Sequence, residues 1–488
     1  MINGCNNNVE PDNETAKYVF FFIGDGMGAA QINAASLYLN RDTNNPGFIS
    51  QEKVLEFTKF PVLGSATAYS ASSFIPDSAA AATALSCGIK TLDEVLGMGY
   101  TGTEPDREKI AENIAEIFNK AGKKVGIISN VSLDHSTPAS FFAHVESRFF
   151  VYEIITQLGK SGFDFFAGGS LLKQTETISA TEKSLGYSER GIDNSWDYLS
   201  SMGYTITKTN TEFEALNKNS GRIFAQAPNI QDSASMNYSI DNALYNERIS
   251  LSEIVKKGIE VLENPNGFFM MVESGKIDWA CHANDAATVI HEMIEFDNAV
   301  NEAYKFYLRY PKDTLIIVTG DHETGGMSMG HTTSGYNTAF KVLEHQEISH
   351  IEMGKHLSAN RENYNTMDDL MPWITSISGL TKPDDDSNGD LLIMSPLQFQ
   401  KLQTAFDHYK NGSGAMSEEE FTMLYSYHNP ISITITRILN NKAGIGWTTW
   451  YHTAAPVPVY VIGAGASKFN GAYDNTDIFI KLREITKL

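Results

Sequence analysis

Four short apolar runs in this chain each lead directly into side chains that bind divalent metal ions. YVFFFIG (18–24) delivers Asp25, FFMMV (268–272) delivers Glu273, and TLIIVTG (314–320) delivers Asp321 and His322. A fourth run, KVGIIS (124–129), opens into a polar loop holding Asp134, His135 and Thr137. Carboxylates suit magnesium, whereas carboxylate mixed with imidazole suits zinc. Asp278 and His282 lie four residues apart, which puts both on one face of a helical turn just after Glu273, as zinc ligands or as a surface hydrogen-bonded pair. The chemistry this predicts is that of a polynuclear metal site.

Other residues could act beside such ions. Ser78, in PDSAAAATAL, opens an Ala-rich helix that Gly88 can close. It has two roles open to it. It can cap the helix, or it can be a nucleophile beside a helix N-terminus that favours a phosphate or an alkoxide. In Gly24-Asp25-Gly26-Met27-Gly28 the glycines allow a tight turn that exposes the carboxylate to a cation. A Gly-rich phosphate cradle is the other reading, but no Walker lysine follows. Arg148 carries a planar fork that can hold two non-bridging phosphate oxygens. Cys281, beside His282, is a lone thiol and a weak zinc candidate. Asp384, Asp386, Asn388, Gly389 and Asp390 follow the opening of a calcium loop, yet Ser395 stands where the bidentate Glu belongs. A solvated acidic turn is the alternative there.

The elements that must position these residues can be read from pattern. Val/Ile/Phe runs without alternation are strands buried on both faces of a parallel sheet. Ligands bind outside the carboxyl ends of such strands. Helices are expected near 29–39, 78–87, 107–121, 247–262 and 284–310, and a further strand at 458–462. In the helix near 284–310, Ala286, Val289, Met293, Phe296, Val300, Ala303 and Tyr307 form one apolar stripe, a core face. Residues 331–446 are polar and turn-rich, and read as an insertion at the sheet edge. The expected organisation is a flexible tail (1–17) and one α/β domain (18–488). It has three layers: a mostly parallel central sheet with helices on both faces, and the insertion near the active-site edge.

Composition narrows the function. The 488 residues carry a formal net charge of −22, which argues against nucleic-acid binding but not against a phosphate substrate held by cations. No run of about 18 apolar residues occurs, so no spanning helix is expected. Cysteines at 5, 87 and 281 show no pairing pattern. Ile-Asn-Gly-Cys5, followed by a polar stretch, looks like the start of a lipoprotein trimmed from an exported precursor, with Cys5 the lipid anchor. An arbitrary chain end is the other reading. The expected location is the periplasm or cell envelope.

Taken together, FFIGDGMG, PDSAAAATAL, HSTPASFFAHVESR, VESGKIDWACH, VTGDHETGG and WYHTAAPVPVYVIG resemble the alkaline phosphatase family in sequence, order and spacing, from Tyr18 to about Leu488. The resemblance implies hydrolysis of phosphate monoesters through a phosphoserine, at two zinc ions and one magnesium ion. It implies that Asp25, Asp321 and His322 hold one zinc and Asp278, His282 and His452 the other. Asp25 would also reach the magnesium, with Thr137 and Glu273. Ser78 becomes the nucleophile and Arg148 the phosphate clamp. The residues alone leave the last zinc ligand open among His331, His428 and His452; the resemblance selects His452. Two positions depart from the best-known bacterial pattern. His135 replaces an Asp, as a direct or indirect partner of the third ion, and opens that site to zinc. Trp279 replaces a Lys that helps hold phosphate. Family members are often dimers, so a homodimer is one expected assembly. Three rivals remain: a sulfatase, whose C/S-x-P-x-R context Ser78 lacks, a phosphodiesterase, and a metal- or phosphate-binding lipoprotein without turnover.

Overall fold

The computed structural model describes residues 15–41, 53–385, 387–412 and 416–488. Cys5 and Asp386 lie outside the described residues. Ten strands form one central sheet. In chain order they are β1 (Tyr18–Gly24), β2 (Val62–Thr67), β3 (Lys124–Ser129), β4 (Phe165–Gly168), β5 (Tyr204–Thr207), β6 (Arg222–Gln226), β7 (Phe268–Ser274), β8 (Thr314–Gly320), β9 (Val457–Gly463) and β10 (Gly471–Asp474). Across the sheet the order is β10-β2-β9-β8-β1-β7-β3-β4-β6-β5. Strand β9 runs antiparallel to both its neighbours, and every other pairing is parallel.

The apolar runs are buried on both faces, as their lack of alternation predicts. Phe20 and Phe22 join the core on one side of the sheet, and Val19, Phe21 and Ile23 the core on the other. Burying each such phenylalanine contributes about 1.5–3 kcal/mol, so the central strands form a firm base. Their ends are level: Gly24 pairs with Gly320 and with Ser274, and Ser129 pairs with Glu273. Asp25 and Asp321 therefore leave neighbouring strands side by side. Glu273 sits opposite Ile23, on the face that also carries Phe269 and Met271. β7 extends two residues beyond the apolar run, so Glu273 is held inside the ladder, not on a loop.

Helices α1 (Ala29–Leu39) and α2 (Ser78–Cys87) occupy the predicted spans, and Gly88 closes the second at φ 70°. A long helix at Ala286–Arg309 buries Val289, Met293, Phe296 and Val300. Two expected helices are corrected. Residues 107–110 belong to a strand, Glu104–Ile110, paired with Met98–Thr101 across a turn at Gly102 (φ 64°). The helix there is only Ile114–Lys120, begun by the Asn113 cap. The charged run Glu104–Lys109 has no apolar period, so nothing in it distinguishes an exposed hairpin from a solvated helix. The next helix starts at Leu251, not 247, because Ser250 caps it. Ala16 and Lys17 are not part of a loose tail. Their N–H groups donate to Ile485 O and Asp313 O at 3.3 and 2.8 Å.

Residues 331–446 are mostly helical and add no strand to the central sheet. Leu343, Met353 and Leu370 join the same apolar cluster as Phe20 and Phe22, so this segment shares the core. Ser395, at the twelfth position of the calcium-like loop, caps the helix Pro396–Asn411 by accepting from Gln398 N.

Candidate active site

The level strand ends gather the predicted ligands into one buried cluster. His322 Nε2 lies 3.3 Å from Asp321 Oδ2 and 3.4 Å from Asp25 Oδ1. Asp278 and His282 share a face of the short helix Lys276–His282, with Oδ2 and Nε2 3.2 Å apart. Asp278 also lies within reach of Asp25 and His322, so it touches both groups. Asp25, Glu273 and His135 form a third group, and Thr137 Oγ1 donates to Asp25 Oδ2 at 3.3 Å.

The three histidines left open by the sequence lie in different places. His331 is half-buried and bonded to Thr333, and His428 Nε2 faces the His282 carbonyl. His452 enters the cluster, and strand direction is the reason. Because β9 runs backwards, its N-terminal end lies at the edge where the other strands finish, and the residues before Val457 arrive at the site. The two-residue pairing of Glu323–Thr324 with His452–Thr453 then lays the His452 ring on that of His322, 3.6 Å between centroids.

Hydrogen bonds set the histidine tautomers. His282 Nδ1 faces the Trp450 carbonyl and His452 Nδ1 the Pro76 carbonyl. A carbonyl only accepts, so each Nδ1 carries the proton and each Nε2 keeps a lone pair. Those two Nε2 atoms point at each other 3.2 Å apart. Two lone pairs at that distance repel, but it is close to the ligand–ligand edge of a tetrahedral zinc site with bonds of about 2.0–2.1 Å. Thr324, which sequence reasoning missed, orients the centre: its hydroxyl lies 2.5 Å from Asp278 Oδ1 and 3.3 Å from His322 Nδ1. Its place two residues after His322 was the available signal. The carbonyls of Trp450 and Pro76 left no signal at all.

Electrostatics points the same way. Burial, and then Asp321, Asp278 and Glu273, push Asp25 well above the usual carboxylate range. Burial foremost lifts Glu273 to about 8 and Asp321 to about 7. Despite burial, His282 and His452 hold Asp278 below its ordinary value. Asp25 Oδ1, Glu273 Oε1 and Asp321 Oδ2 are buried and accept no hydrogen bond from the protein. Buried, unpaired carboxylate oxygens are costly unless cations coordinate them, so this donor set fits divalent metal.

Ser78 and Arg148 complete the site. The helix cap is Asp77, whose Oδ1 accepts from Ala80 N at 2.9 Å. This frees the Ser78 hydroxyl, which lies 3.2 Å from His322 Nε2. Asp77 Oδ2 accepts from Arg148 Nη1, and His135 Nε2 faces Arg148 Nη2, both at 3.1 Å. An arginine only donates, so His135 Nε2 accepts and its proton sits on Nδ1. In that tautomer His135 can donate toward an acidic neighbour but cannot ligate through Nδ1. Burial, and then Arg148, lower its pKa to about 3, so it is neutral. Trp279 is half-buried, with its ring edge-on to His135 at 5.9 Å. Asp134 is not aimed at the cluster; both its oxygens face Leu172 N. Cys281 is buried against Gln31 and belongs to none of the metal-type groups found among the described residues. A cleft of about 1080 Å³ opens over Ser78, Arg148 and Asp278, and residues of the 331–446 segment, including His350 and Tyr427, form its outer wall.

A buried multi-carboxylate, multi-imidazole centre at the carboxyl edge of a parallel sheet, open to a cleft, is that of a metal-dependent hydrolase. The chain belongs to the alkaline phosphatase family, whose sequence profile matches residues 16–164 and 195–488. It is 28% identical to alkaline phosphatase 4 of Bacillus subtilis (strain 168), over 96% of this chain and 88% of that one. The fold is similar to that of a cold-active alkaline phosphatase from Shewanella sp. (TM-score 0.75, 24% identity, 96% and 99% of the two chains). It is also similar to Thermus thermophilus alkaline phosphatase (TM-score 0.74, 22% identity, 97% and 92%). Family membership implies phosphate-monoester hydrolysis by a metal-dependent enzyme.

Proposed function

We propose that this enzyme hydrolyses phosphate monoesters in two in-line steps through a phosphoserine on Ser78. Asp25, Asp321 and His322 would hold one zinc ion and Asp278, His282 and His452 a second. Asp25, Thr137 and Glu273 would hold magnesium, with His135 donating beside it. The observation that carries the reading is the Ser78 hydroxyl 3.2 Å from His322 Nε2, released from capping by Asp77. When bound, a pair of such ions lowers the pKa of a hydroxyl or water and neutralises charge on attacking and leaving oxygens.

The chain's own residues do the rest. Asp77 and His135 pin the Arg148 guanidinium and leave its remaining N–H groups for two non-bridging phosphate oxygens. The N-terminus of α2 adds positive potential behind Ser78. Ser78 Oγ attacks phosphorus and gives up its proton to the solvent-open cleft, and the departing alkoxide takes one from it and leaves as the alcohol. Water then attacks phosphorus from the same cleft and gives up a proton, and the Ser78 oxygen departs and regains one. Two inversions predict overall retention at phosphorus, and the need for deprotonated oxygen nucleophiles suits alkaline pH. Acid quenching during turnover should trap phosphate on the peptide containing Ser78; trapping on another residue, or none under burst conditions, refutes the reading.

Two substitutions probe the phosphate end. Arg148→Ala removes charge-assisted bonds worth about 1.5–3 kcal/mol, so kcat/KM for p-nitrophenyl phosphate should fall about 10- to 100-fold. An unchanged value removes Arg148 from the phosphate site. Trp279→Lys restores an ammonium near the phosphate, and inorganic phosphate should then inhibit about tenfold more tightly. Unaltered inhibition counts against the placement of Trp279.

A further inference from the structure

The cleft continues past the catalytic cluster to the turn Gln231–Ser235, which no step above uses. Its anchor is Lys276, the first residue of the helix that carries Asp278 and Trp279. The Lys276 side chain is completely buried. Its Nζ donates to Ser235 Oγ at 2.9 Å, Gln231 Oε1 at 3.1 Å and Asp232 Oδ1 at 3.3 Å. It also sits 3.6 Å over the Tyr238 ring and 5.1 Å from that of Trp279. Within the turn, Ser233 and Ala234 are both left-handed, at φ 47° and 60°. Neither is glycine, and such strain persists only where the surroundings over-determine it, commonly at ligand sites. Lys276 holds the turn from inside, and Ala234 O accepts from Ser170 N at 2.8 Å.

The strained turn presents specific groups to the cleft. Asp232 and Ser233 line it, as do Tyr238 and Trp279. Lys276 engages only Oδ1 of Asp232, which leaves the second carboxylate oxygen to accept from a ligand. Tyr238 is fully buried, and its hydroxyl has no protein partner. A carboxylate and hydroxyls beside an indole face suit an alcohol that donates several hydroxyl protons and packs its C–H surface on the ring.

We infer that Asp232, Ser233 and Tyr238 form a leaving-group subsite selecting phosphate monoesters of polyhydroxylated alcohols, the sugar and polyol phosphates, with Lys276 as its positioning residue. This rests on the reading of Ser78 and Arg148 as the phosphate end. The test compares kcat/KM for glucose 6-phosphate with that for phenyl phosphate, in the metal-loaded enzyme and in Asp232→Asn and Ser233→Ala. Asparagine keeps an Oδ1 acceptor for Lys276 but loses the charge. In Asp232→Asn the glucose 6-phosphate to phenyl phosphate ratio should fall about tenfold, chiefly through KM for the sugar ester. In Ser233→Ala, which leaves every Lys276 contact in place, it should fall about threefold. If Asp232→Asn does not fold, Ser233→Ala decides alone. A ratio unmoved in the folded variants, while phenyl phosphate is still turned over, overturns the subsite. Failure of the unsubstituted enzyme to turn over phenyl phosphate would overturn the parent reading instead.

Discussion

Ser78→Ala should reduce turnover of p-nitrophenyl phosphate by about a thousandfold or more, because it removes the hydroxyl that forms the covalent intermediate in the proposed reaction. The substitution should leave the fold intact. Asp77, not Ser78, caps α2, and the Ser78 hydroxyl is hydrogen-bonded to His322. Thermal stability should therefore stay close to that of the unsubstituted enzyme, within the range of ordinary surface changes. Phosphate binding should survive, since Arg148 and the metal-type ligands are untouched. Turnover near the original rate would show that water attacks the substrate directly. Loss of binding together with turnover would show that Ser78 is structural.

Stripping divalent ions with a chelator should abolish activity and lower thermal stability, and adding back zinc with magnesium should restore both. A site that binds only the folded state contributes about 4 kcal/mol at a thousandfold excess of ion over its Kd. The stripped protein should also acquire a distinctive pH dependence. In the unfolded chain the carboxyls titrate near pH 4. In the folded, stripped protein Asp321 is held up to about 7 and Glu273 up to about 8, chiefly by burial. Below pH 4 these groups are protonated in both states, so nothing is lost. As pH climbs toward 8 the unfolded chain sheds protons that the folded one retains, and stability falls. With ions bound, the same carboxylates are already ionised in the folded state, so the decline should vanish. Melting temperatures of stripped and reloaded enzyme between pH 5 and 8 measure this. A stripped protein with a flat profile would mean that the cluster does not carry this buried charge.

How much of this was legible beforehand depended on the kind of signal. β1, β3 and β8 could be bounded to the residue, because an apolar run with no alternation has one stable home, the interior of a parallel sheet. The runs of β1 and β8 placed Asp25 and Asp321 just past strand ends, and the run of β7 led into Glu273. The hairpin at 98–110 was invisible, since its charged strand offers no periodicity of burial. The role of Asp77 was also hidden, because Asp77 and Ser78 both have capping chemistry and only coordinates show which one accepts from Ala80 N.

The sequence by itself determined which strands form and that their ends carry carboxylate and imidazole, for burial patterns are local and written in residue type. The tertiary structure decided the rest: that the His452 ring faces the His282 Nε2 while His428 reaches only the His282 carbonyl, that Trp450 and Pro76 carbonyls fix the tautomers, and that Lys276 braces a strained turn at the cleft. These depend on strand direction, register and backbone carbonyls contributed by residues far apart in the chain. Such contacts are fixed by how the strands and helices pack in three dimensions, and no local pattern of side chains encodes them.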